Sequence, residues 1–149
     1  MNSLTYEEMT NRLTNVLSGM LIRSFRLEEV GTLILYFGRD LNVPLEERGT
    51  RLWIESAWRL CACGRVIAGS LDKPEAVLPR LQVLKGMRME SVRLDAVGGD
   101  ITLKLQDSLV ISSFSHSVEF EQWQLRREDG LRLGMRENLE LYEDSERPD

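Results

Sequence analysis

The chain repeats itself at an offset of 67 residues, and this limits its possible folds more than any other feature. Leu17-Ser18-Gly19-Met20 is answered by Leu84-Lys85-Gly86-Met87. The match continues through Ser24 and Ser91, Arg26 and Arg93, Leu27 and Leu94, Val30 and Val97, and Gly31 and Gly98. Gly99 inserts one residue, after which Leu33, Leu35 and Phe37 correspond to Ile101, Leu103 and Leu105. Further on, Trp58-Arg59-Leu60 aligns with Trp123-Gln124-Leu125, whereas Trp53 falls on Val118. Both copies should therefore carry the same elements in the same order.

Each copy opens with a helix. Thr5-Tyr6-Glu7-Glu8 has the form of a capping box, and Met9, Leu13, Val16, Leu17 and Met20 share one helical face. Asp72-Lys73-Pro74-Glu75 repeats the acceptor-x-x-Glu form with an early proline, and Val77, Leu78, Leu81 and Leu84 supply the apolar face. Pro79 should kink or split this second helix. Gly19 and Gly86 read as the residues that end the two helices.

The period then falls to two and slips by one residue, at Arg23-Ser24 and again at Ser91, which predicts a β-bulge in both copies. Turns at 28–31 and 95–100 lead into an alternating strand, clearest in Ile101, Leu103 and Leu105. A third strand is expected over Arg51–Glu55 and over Ser108–Ser112 or Val118–Phe120. The fourth begins at the tryptophan and turns back through Cys63-Gly64-Arg65 or Arg127-Glu128-Asp129-Gly130, and Leu139, Leu141 and Tyr142 make a short final strand. The expected fold is α+β, internally duplicated, with two α-β-β-β-β units (about 5–70 and 72–142) whose antiparallel sheets are related by a pseudo-twofold axis. A unit of about 65 residues with a one-sided sheet holds too little core to stand alone, so the two apolar faces should close on each other.

Charge divides the chain differently. The net charge of -5 is carried by Glu137 to Asp149, with six acids and one base, leaving 18 charges of each sign in residues 1–136. Residues 143–149 are expected to be a disordered acidic tail. A neutral body argues against a broad footprint for nucleic acid or anionic lipid, so no direct nucleic-acid contact is expected. His116 is the only histidine, which excludes a multi-histidine metal site. Cys61 and Cys63 are expected to be buried, reduced thiols, poorly placed for a disulfide. No signal peptide opens the chain and no apolar run approaches a membrane span, so a cytoplasmic protein without membrane contact is expected, as monomer or homodimer.

Chemical motifs are scarce. Val97-Gly98-Gly99-Asp100 lies between two strands, so its glycines serve a turn and not a phosphate cradle. Glu28-Glu29 and Glu46-Glu47 are neighbours in loops, unlike the opposed acid and base of a hydrolase. Asp95, Asp100 and Asp107 lack the spacing of a calcium loop, and the run from Ser112 to Ser117 has no nucleophile elbow around His116. No enzyme activity, cofactor or metal is expected. Trp58 and Trp123, occupying matched positions, should fill equivalent core corners. Trp53 has no aromatic counterpart and is the candidate exposed hot spot. Arginine supplies 16 of the 19 basic residues, a composition found at protein interfaces. The loop from Asp40 to Thr50 interrupts the correspondence, so Asp40, Glu46, Glu47, Arg48 and Trp53 are the candidate partner-binding residues.

The second copy carries a family resemblance. Leu84-x-Gly86-Met87, Val92-Arg93-Leu94, Gly99-Asp100-Ile101-x-Leu103-x-Leu105-x-Asp107, Glu119-Phe120-Glu121-x-Trp123-x-Leu125 and Asp129-Gly130 together resemble small duplicated bacterial domains taken to be immunity proteins of polymorphic toxin systems. The likeness spans about residues 84–142 and, more loosely, 17–70. Leu105 stands where phenylalanine is usual, and Ser108 replaces the turn glycine. The resemblance implies stoichiometric binding of a cognate toxin. An alternative resemblance, to the Whirly single-stranded DNA-binding proteins, rests on two four-stranded sheets about a pseudo-twofold axis.

Overall fold

The computed structural model describes residues 2–45, 49–115 and 121–145. In chain order it contains β1 (Asn2–Ser3), α1 (Tyr6–Leu17), β2 (Leu21–Leu27), β3 (Leu33–Gly38), β4 (Arg51–Ile54), β5 (Ala57–Ala62), β6 (Arg65–Gly69), α2 (Pro74–Leu81), β7 (Met89–Leu94), β8 (Ile101–Leu105), β9 (Leu109–Phe114), β10 (Trp123–Arg126), β11 (Leu131–Met135) and β12 (Leu141–Ser145). The α+β class agrees with the periodicity. Helix α1 is nevertheless followed by five strands and α2 by six, not four each, because the second arm of each late hairpin is a strand of its own and β12 is added at the end.

Local chemistry explains both helix starts. The Thr5 hydroxyl accepts from the Glu8 amide at 3.1 Å while the Glu8 carboxylate accepts from the Thr5 amide, completing the capping box. At α2 the expected acceptor is diverted. The Asp72 carboxylate accepts from the Gly69 amide at 3.0 Å, which leaves Lys73 at the cap without a side-chain bond. Pro79 sits inside α2, which stays short and continues as a 3-10 turn over Gln82–Leu84.

The strands form two antiparallel sheets, one ordered β1-β12-β11-β10-β4-β3-β2 and the other β6-β5-β9-β8-β7. Neither sheet belongs to one repeat. Strands β2-β3-β4 are completed by β10-β11, and β7-β8-β9 by β5-β6, so the expectation of one sheet per unit is corrected to an exchange of hairpins. The cause is visible at the corner after β4. Only Glu55 and Ser56 separate β4 from β5, and both of their amides donate to the Gln122 carbonyl, at 3.0 and 3.1 Å. The chain therefore crosses to the other sheet instead of doubling back.

Several features recur at the offset found in the sequence. Register shifts lie between Ile22 and Ser24 and between Met89 and Ser91, where the bulges are expected. Trp58 Nε1 donates to the Gly31 carbonyl at 2.7 Å, and Trp123 Nε1 donates to the Gly99 carbonyl at 3.1 Å. Both indoles are buried. Gly99 holds a φ of +69°, and a Cβ there would collide with the Met135 methyl group. Where β2 and β7 begin, the amides of Gly19 and Met89 donate to Met89 and Met20, and those of Gly86 and Ile22 donate to Ile22 and Met87. The 67-residue offset exchanges these two pairs of bonds. One register detail differs from the alignment: Trp53 faces Gln124 as Ser112 faces Arg59, so the counterpart of Trp53 is Ser112. Val118 lies outside the described residues.

A single apolar cluster fills the space between the sheets, with α1 packed on β7 and α2 against β6 and β2. Among the described residues no helix is long and apolar enough to cross a membrane. Two sequence expectations change here. The cysteines are not buried: Cys61 is half-buried and Cys63 is exposed, because Cys63 (φ +49°) and Gly64 (φ +79°) form the two-residue tip of the β5–β6 hairpin. Order also runs past residue 142. Strand β12 extends through Ser145, where Glu143 pairs with Arg12 at 2.7 Å and Asp144 with Arg132 at 2.6 Å, so arginines neutralise part of the acidic run. Residues 146–149 lie outside the described part.

Candidate functional site

Strand side chains alternate between faces, so the residues between Leu33, Leu35, Leu52, Ile54, Leu125 and Leu133 of the core point outward from the seven-stranded sheet. Pairing aligns Ile34, Trp53, Gln124, Gly134 and Tyr142 in one row and Tyr36, Arg51, Arg126, Arg132 and Asp144 in the next. Trp53 is half-buried. The guanidinium carbons of Arg51 and Arg126 each lie 5.1 Å from its ring centroid, so two cations meet one indole.

Tyr142 anchors the other end of the row. Its ring occupies the room left by Gly134, where a Cβ would come within 2.6 Å of it, and Arg136 lies 4.3 Å from the ring centroid. The phenol donates to Glu121 Oε1 at 2.7 Å and accepts from Gln124 Nε2. Gln124 also donates to that Glu121 oxygen at 3.1 Å, and its own carbonyl accepts from Arg126 Nε at 2.7 Å. Burial, reinforced by the bond to Glu121, pushes the phenol well above its ordinary pKa despite the opposing effect of Gln124. Next to this chain, Asp144 accepts both forks of Arg132 at 2.6 and 3.0 Å and lies 3.6 Å from Arg136. Glu121, Gln124, Arg132, Arg136, Tyr142 and Asp144 line, with Glu137, an open hollow of about 290 Å³. The arrangement fixes donors and acceptors in place, which suits recognition of a polar surface.

Glu55 borders the same face. Partial burial of its carboxyl and the nearby Glu121 raise its pKa, and Arg126 opposes them. A carboxyl raised in the folded state keeps its proton at a pH where the unfolded chain has lost it. Stability should therefore fall as pH rises through that window and stay lower at neutrality. Glu55→Gln is expected to raise the urea midpoint at pH 7 and to flatten its change between pH 4 and 7. An unchanged pH profile would refute this.

The candidate residues read from the sequence separate in space. Trp53 lies on the face just described. Asp40 is exposed, and its carboxylate accepts from the Asn42 amide at 2.8 Å, closing a local turn. Ile34, which pairs with Trp53, is four residues from Gly38 at the end of β3, about 13 Å at the usual rise per residue. Asp40 follows beyond it, so the structure does not bring Asp40 and Trp53 together. Glu46, Glu47 and Arg48 lie outside the described residues. Among the aspartates, Asp95 accepts from the Val97 amide, and Asp100 accepts from the amide and hydroxyl of Ser115 at 2.6 and 2.8 Å.

Two features escaped sequence reading. The chain from Glu121 through Gln124 to Tyr142 needs cross-strand register, which a sequence does not display. Leu41, Val43 and Leu45, exposed by 52%, 50% and 45%, form an apolar run in the loop after β3. Their alternation was a usable signal, since a loop has no core to fill. No protein-family model, curated protein or solved structure matches the chain.

Proposed function

We propose that the chain is an immunity protein that binds a cognate bacterial toxin stoichiometrically and neutralises it by covering the toxin surface. One observation carries this reading: the guanidinium groups of Arg51 and Arg126 both lie against the Trp53 ring on the outward face of a seven-stranded sheet, beside the bonded row ending at Tyr142. Tryptophan, tyrosine and arginine are the residues that dominate binding energy at protein interfaces. A sheet holding them in register loses little side-chain entropy when a partner docks. Leu41, Val43 and Leu45 offer a second, apolar contact on the loop.

The test is co-purification with the protein encoded by the adjacent gene, followed by calorimetry. A 1:1 complex is expected, weakened at least about tenfold by Trp53→Ala, as loss of a hot spot requires. No complex at micromolar concentrations would overturn the proposal. The same indole beside two guanidinium groups favours a second reading, a stacking platform for single-stranded nucleic acid. Glu55, Glu121 and Asp144 share that face and repel phosphate. Salt-sensitive binding of labelled oligothymidylate, lost in Trp53→Ala, would establish the second reading in place of the first.

A further inference from the structure

The outward face of the five-stranded sheet has a different chemistry. Register places Arg93, Thr102, Ser112 and Arg59 in one row across β7, β8, β9 and β5, and Ser91, Lys104, Val110, Cys61 and Val66 in the adjacent row. Arg59, Arg93 and Lys104 are exposed. Among the described residues no carboxylate lies within ion-pair distance of these three. Phe114, 37% exposed, extends the face with the Arg59 guanidinium 4.6 Å from its ring centroid, and Val66 is 59% exposed. Among the described residues of β7, β8 and β9 and their connections, the acidic groups stand at the margin: Glu90 at the bulge, Asp95 and Asp100 in the β7–β8 turn, and Asp107 after β8. In a chain of net charge -5, three cations gathered on one strand face form a local surplus.

We propose that this face docks an acidic stretch of a protein partner, at a site separate from Trp53. Charge complementarity selects an anionic occupant. The second row selects polypeptide over nucleic acid, because Val110, Cys61 and Val66 offer aliphatic surface where a phosphodiester chain needs donors. The dimensions agree. Arg93 and Arg59 are three strand spacings apart, about 14 Å, the distance between carboxylates four residues apart in an extended peptide. The chain then has two binding faces on opposite sides of its core, and a toxin on one leaves the other free.

The probe is a labelled peptide of alternating Asp and Leu, about eight residues long to span the sheet, titrated into the isotope-labelled full chain. Amide shifts are expected at Arg59, Thr102, Lys104 and Ser112 and not at Trp53 or Gln124. Arg59→Glu with Arg93→Glu should weaken binding at least about tenfold, and an Asn-for-Asp peptide should not bind. Lys104→Glu alone, a single exposed change, gives the same direction should the double variant misfold. No shifts at millimolar peptide, or shifts confined to the Trp53 face, would overturn the proposal. Tighter binding of oligothymidylate than of the peptide at equal salt would overturn it in favour of nucleic acid. These readouts need no toxin, so they stand apart from the complex that tests the immunity role.

Discussion

Trp123→Ala is expected to cost about 3–5 kcal/mol, the range for deleting a buried large aromatic. Trp123 is fully buried, and its indole is the hinge between the apolar cluster and the β7–β8 turn through the bond to the Gly99 carbonyl. Truncation would leave a cavity between the sheets and an acceptor with no donor. The surrounding strands cannot collapse to fill the space, because β10 lies in the middle of the seven-stranded sheet, bonded on both sides. Against a typical domain stability of about 5–15 kcal/mol, the loss is a large fraction of the total. Trp123→Phe separates the two contributions: most of the volume stays, the hydrogen bond goes, and about 1–3 kcal/mol should be lost. Trp58→Phe removes the equivalent bond to Gly31 and should behave alike. Urea unfolding followed by fluorescence checks all three, and a loss under about 1 kcal/mol for Trp123→Ala would contradict the assigned role.

Cutting the chain between Ser70 and Leu71 should abolish folding of either piece and allow recovery on mixing. Residues 1–70 contain β2-β3-β4 but not the β10-β11 pair that completes their sheet, and residues 71–149 contain β7-β8-β9 without β5-β6. Each piece would expose two interior sheet edges, β4 and β5 in the first and β9 and β10 in the second, and sheet surface that the other piece normally covers. Circular dichroism should show little strand content for each piece alone and a native-like spectrum for the equimolar mixture. Cooperative unfolding of either piece as an isolated monomer would refute this. Strand pairing and the shared apolar cluster hold the two parts together, since no disulfide joins them.

Much of the local structure was legible because its causes are local. The Thr5 cap, the slip at Ser24 and Ser91, and the Cys63-Gly64 tip are each written in a few adjacent residues. The exchange of hairpins was not. Alternation says which face a residue takes, but β4 would alternate identically whether β5 or β10 lay beside it. The misplaced match of Trp53 to Val118 has a related origin. The first copy carries its long connection before β4 and the second carries its own after β9, so a single offset cannot hold through both. At the candidate site, Trp53 was found as an unmatched aromatic, whereas Tyr142 depends on Gly134 across the strand, a relation of register rather than spacing. Asp72 illustrates the limit of motif reading: the right residue type stood at the right place, and the Gly69 amide claimed it first.

The exchanged hairpins also dictate when this protein can become itself during synthesis. Strand β4 is made early, yet the neighbour that closes its edge begins only at Trp123. The ribosome, adding about 5–20 residues per second, leaves that edge open for several seconds. Throughout that interval Leu52, Trp53 and Ile54 form an unclaimed template on the nascent chain, a natural substrate for a holding chaperone and the point at which two growing chains would first mispair.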